Sequence, residues 1–192
     1  MKHINYYKLL VIPLIILIAL LTSLCTPRES QVDSKEVADE KNLEKFTTRE
    51  ARQDAKTVTS AVAYCLAEIR LADLAIEKTR DEELKNIALH LKNDYAMLLA
   101  DLRTYAGERV ITVPSTEENS VRAKADKLRN EAIDFNKKWC EEVLELHKDA
   151  IANLEDAKDK ASDADLRAWA NNTLPRVRRN LDLVSACHNR VK

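Results

Sequence analysis

Glycine is almost missing: Gly107 is the only one in 192 residues, beside 33% charged residues. β architectures need glycine at their turns, so the scarcity argues for long helices. It also leaves no glycine-rich phosphate loop, and neither Gly-x-Ser-x-Gly nor His-Glu-x-x-His occurs. Glu-x-x-His, the pair that di-metal helical bundles carry on two helices, is absent as well. No basic excess exists either. The formal charge is −1, which excludes the electrostatic footprint of a nucleic-acid binder.

What is present begins with an export pattern. Lys2 and Lys8 precede an apolar run from Leu9 to Leu24, after which Cys25 opens a polar stretch. Charged, apolar, then small and polar is the order of a secretory signal. The run contains Pro13 and is short for a comfortable membrane span. Ser23-Leu24-Cys25 resembles the box at which bacterial lipoproteins are cut and acylated on cysteine. Three readings stay open: a lipid anchor on Cys25, plain secretion, and an uncleaved anchor. Each exports the remainder. Residues 1–24 thus read as signal peptide and 25–47, polar and without apolar periodicity, as a flexible tether. Residues 48–192 suit one domain.

That domain carries four helix-start signals of the form Ser/Thr-x-x-Asp/Glu: Thr47…Glu50, Thr79…Glu82, Ser115…Glu118 and Ser162…Asp165. They predict helices over roughly 48–78, 80–107, 116–160 and 163–190. Gly107 suits a left-handed cap on the second, and "VITVPS" an extended crossing. Apolar stripes agree with this division. Val58, Val62, Cys65 and Ile69 mark the first helix, and Leu84, Ala88, Leu91, Tyr95 and Leu98 the second. Leu128, Phe135, Trp139 and Val143 mark the third, and Leu166, Ala170, Val177 and Val184 the fourth. Four amphipathic helices bury such stripes most simply as an antiparallel four-helix bundle, all-α in class.

Four polar residues fall on or beside these stripes: Glu68, Tyr95, His147 and Asn180. At 1.5 Å per residue they sit about 18–28 Å from one end of an up-down bundle, so they can share one polar layer. His90 lies outside its stripe and belongs on the surface. Arg176, Arg178 and Arg179 with Lys137 and Lys138 read as a solvated face.

The segments "AVAYCLAEIRLADLAIEKT", "WCEEVLELHKDAIANLEDA" and "DADLRAWANNTLPRVRRNLDLVSAC" resemble a family of exported bacterial envelope proteins, domain of unknown function 4142. The resemblance covers about residues 50–190 and implies a ferritin-like four-helix fold. Glu68 and His147 match the family's pattern. Tyr95 and Asn180 stand where that pattern has histidines. A ferritin-like metal site wants about four carboxylates and two histidines, so the expectation is no metal and no cofactor. The four residues are then a buried hydrogen-bonded layer, with an altered metal site or another ligand as the open alternatives.

Three cysteines remain besides Cys25. Cys140 and Cys187 both lie in segments that carry the resemblance and at similar depth along the bundle, so they are the expected disulfide. Cys65 sits at the centre of its stripe as a small apolar group. The spacing of the three with His147 matches no zinc pattern. These features favour an envelope protein on the periplasmic face of a bacterial membrane, with the outer membrane expected. Its lipid anchor would be its membrane partner, nucleic acid would not be a partner, and its role would be non-enzymatic binding, structure or stress response. The alternative is a ferritin-like metal-binding protein with oxidase or storage activity.

Overall fold

The protein is described by a computed structural model over residues 32–191. Six helices occur there and no strand: α1 Ser34–Lys45, α2 Arg49–Lys78, α3 Glu82–Glu108, α4 Asn119–Arg129, α5 Phe135–Lys160 and α6 Ala164–Arg190. Cys25 and the expected signal peptide lie outside the described residues.

The expected tether is helical from Ser34 onward. Asp33 caps α1 by accepting from Lys35 N at 2.9 Å and also accepts from Asn119 N, at the start of α4, at 2.8 Å. One aspartate therefore ties down two of the unpaired amides that helix starts leave. Asn42 is buried in α1, donating to Thr112 O and accepting from Thr112 N, each at 2.8 Å. A polar side chain rather than an apolar stripe docks this helix, so hydropathy periodicity does not announce it.

Each of the four start signals lies near a true start, but the capping residue is another. Thr48 caps α2 and Asp81 caps α3, accepting from Ala51 N at 3.2 Å and Leu84 N at 3.0 Å. Asp163 caps α6 through Asp165 N and Leu166 N, while Glu118 precedes α4 without a side-chain cap. Thr79, freed from that role, donates to Asn136 Oδ1 at 2.9 Å. Ser162 instead points to Asp54 on α2, which accepts from Ser162 N, Ser162 Oγ and Asp163 N.

The expected third helix is two. Chain between Arg129 and Phe135 interrupts it, and Lys78 at the end of α2 donates to the carbonyls of Leu128 and Arg129 at the break. Leu128 and Phe135 are both buried, so the stripe runs on across the break. Gly107 also departs from expectation. α3 continues through it, and the left-handed residue is Val110 at φ 57°.

α2 packs along α3, α5 along α6, and α2 against α5, while α3 and α6 meet over a shorter stretch. The main core spans Val58, Leu71, Leu84, Leu91, Leu102, Trp139, Val143, Leu166 and Val184. A smaller one between α5 and α6 joins Ala150, Leu154, Ala170 and Val177. Trp139 donates its indole N–H to Leu71 O at 2.7 Å, which fastens α5 to α2 across the core. No helix among the described residues is long and apolar enough to cross a membrane.

Candidate functional site

Glu68 projects from α2, Tyr95 from α3 and His147 from α5, and all three are at most 1% exposed. Burial of ionisable groups is costly unless they find hydrogen-bond partners, and here each of the three finds one in another, with one Glu68 oxygen left over. His147 Nδ1 lies 2.8 Å from Val143 O and 3.0 Å from Glu68 Oε1. Both of these oxygens accept, so Nδ1 carries the proton. Nε2 faces the Tyr95 hydroxyl at 2.9 Å. In the neutral ring Nε2 accepts from Tyr95; in the imidazolium it donates to it. The order Tyr–His–Glu leaves the imidazole fixed in tautomer and orientation.

A fourth member was not foreseen. Tyr64, one turn before Glu68 on α2, has a single hydroxyl proton and two acceptors at 3.1 Å, Glu68 Oε1 and Tyr95 Oη. The Tyr64 and Tyr95 rings meet edge to face, 5.3 Å between centroids. The i, i+4 spacing of Tyr64 and Glu68 was the signal available in the sequence; Tyr64 flanks the stripe and gives no sign of its inward reach.

Burial and the Glu68 carboxylate both push the Tyr64 and Tyr95 phenols well above their ordinary range, so they stay protonated. Burial opposes the imidazolium of His147. The charge of Glu68, its hydrogen bond and the Val143 carbonyl outweigh that and raise the His147 pKa above its ordinary value. Glu68 Oε2 is buried with no hydrogen-bond partner in the protein.

Asn180 approaches Tyr95 from the other side, where its amide favours the ionised phenol against burial. Its main partners are different: Nδ2 donates to Asp94 Oδ2 at 3.1 Å and Oδ1 lies 3.2 Å from His90 Nε2. His90 is half-exposed, as expected, yet engaged. Arg176, expected on a solvated face, instead clamps Asp94 with two donors at 2.9 and 2.8 Å. That pairing holds the Asp94 carboxyl below the usual range, with Asn180 assisting. The expected polar layer is thus two clusters that meet at Tyr95.

The donor set does not fit the metal centre that a ferritin-like fold implies. Among the described residues no three His, Cys, Asp or Glu side chains gather where they could hold an ion. The inner layer supplies one carboxylate and one imidazole, and both ring nitrogens are engaged, by Val143 and Glu68 on one side and Tyr95 on the other.

Cys140 and Cys187 come together as foreseen, but as thiols: the sulfurs stand 3.8 Å apart, where a disulfide requires about 2.05 Å. Burial and the neighbouring Cys187 push the Cys140 thiol far up. Cys65 is buried and likewise raised, by burial and by Glu68.

Fold and site define an all-helical domain built around an inward-facing polar relay. The chain belongs to the family described as domain of unknown function DUF4142, whose model matches residues 39–186. It is also similar in fold to the crystal structure of a DUF305 fragment from Deinococcus radiodurans. That likeness has a TM-score of 0.63 at 13% identity, covering 74% of this chain and 97% of the other. No curated protein matches the sequence.

Proposed function

We propose that this chain is a lipid-anchored four-helix-bundle protein of the bacterial cell envelope, ferritin-like in topology, with a non-enzymatic binding, structural or stress-related role. Export and acylation of Cys25 are supported by the order of residues in the N-terminal segment and by the Ser23-Leu24-Cys25 box. It sits on the periplasmic face, at the outer membrane. Cys140 and Cys187 are its staple.

One observation carries the non-enzymatic reading. The donors of the Tyr64–Glu68–Tyr95–His147 group are turned toward one another. Glu68, Tyr95 and His147 are buried, and Tyr64, partly buried, lines a small apolar cavity with Cys65 and Trp169. A general base must reach substrate, and Glu68 and His147, the two groups that could act as one, are sealed in the core. The relay instead gives the core one defined arrangement, because each member has a partner that only this packing supplies.

A second reading, a depleted ferritin-like metal site with oxidase or storage activity, has a single point in its favour: the unpartnered Glu68 Oε2. The two readings part on metal content, measured on protein purified without chelator. The anchor is tested separately, by the mass of the N-terminal peptide of the mature protein. Diacylglycerol on Cys25 supports it; an unmodified mature chain starting elsewhere rejects it.

A further inference from the structure

The last turn of α6 is held down by a clamp that lies directly over the thiol pair. Arg190 donates to both carboxylate oxygens of Asp81, at 2.7 and 3.1 Å, and pairs with Glu83 at 3.0 Å. The same guanidinium reaches Cys187 Sγ at 3.6 Å. Asp81 is the N-cap of α3, so the clamp ties the end of one helix to the start of another. Beneath it Cys187 and Cys140 are at most 1% exposed, whereas Arg190 itself is exposed at the surface. Cys187 lies three residues before the end of α6, and helix ends open at a fraction of the free energy of global unfolding.

We propose that Cys140 and Cys187 form a thiol–disulfide exchange site for a disulfide oxidant, with the Arg190–Asp81–Glu83 clamp as the latch that controls access. The proposal rests on the reading of this pair as the staple of an exported domain, and adds how the staple closes in the folded protein. When the last turn lifts, the Cys187 thiolate attacks one sulfur of the oxidant and a first oxidant thiolate leaves. Cys140, losing its proton as it attacks, displaces the second oxidant thiolate from Cys187. The protein gains one S–S bond and gives up two electrons and two protons. The oxidant's disulfide is reduced to two thiols, which take up those protons. The two sulfurs need to close from 3.8 Å to about 2.05 Å, a shift that the end of a helix accommodates.

Cys65, buried in mid-α2, is an internal clock for global unfolding. Purified, reduced full-length chain would be exposed to oxidised glutathione, quenched, and mapped by mass without reduction. Modification of Cys65 by a maleimide would be timed in parallel. The latch requires that the 140–187 linkage forms faster than Cys65 is modified. Arg190→Ala should speed linkage roughly tenfold while leaving the Cys65 rate alone, since only local opening is eased. Glu83→Gln, which spares the α3 cap, should speed it less. Linkage no faster than Cys65 modification, linkage unchanged in Arg190→Ala, or pairing of either cysteine with Cys65 would each overturn the proposal. The assay uses isolated protein, so a failure of the export reading would show itself at Cys25 and not here.

Discussion

His147 is the residue on which the relay turns. Its pKa is raised in the folded protein by Glu68 against the opposing effect of burial. A raised folded pKa contributes stability that is fully present below the unfolded value of about 6.5. That contribution is lost as pH rises through the folded value. The melting temperature should therefore fall as pH climbs from about 6.5 upward, and the slope should vanish in His147→Gln. Breaking one member out of a buried ionisable pair costs about 3–5 kcal/mol, so this variant should also melt well below the native chain at pH 6. Melting curves across pH for the two proteins check both points; an unchanged slope in the variant would place the titration elsewhere. The convergence of Glu68, Tyr95 and His147 was legible from helical periodicity, because depth along a bundle follows from counting residues. Tyr64 was not, since which way a flanking side chain turns depends on the facing helix.

At the scale of elements, the helix starts were located to within a few residues, yet the capping residues were misread. Threonines and serines form the motif, but an aspartate nearby takes the cap in α3 and α6. α1 escaped notice because Asn42 docks it rather than a stripe, and the α4–α5 break because Leu128 and Phe135 keep the stripe continuous. Two substitutions probe this layer. Val110 is β-branched, exposed, and held at φ 57°, a conformation glycine adopts freely. Val110→Gly should raise stability by about 0.5–1 kcal/mol, read as a higher denaturation midpoint. Asp54 accepts from Ser162 N, Ser162 Oγ and Asp163 N. Asp54→Ala strands those donors and should cost about 2–3 kcal/mol by the same measurement.

For the whole molecule, two helical hairpins share a core and a relay. Chain class was readable from one scarce residue type, because a chain nearly without glycine has few ways to turn except between helices. In a bacterial host, Cys25→Ser should move the protein out of the membrane fraction or leave it unprocessed; retention in membranes as a mature chain would count against the lipid anchor.

The relay is most directly tested by its metal content. The full chain, purified without chelator, would be analysed for iron, manganese and zinc, and melted with and without EDTA. A relay whose imidazole is held on both nitrogens by its own tyrosine, carboxylate and backbone carbonyl should carry each metal at well below one equivalent and melt identically in both conditions. One or two tightly held equivalents, with melting that drops on chelation, would contradict it.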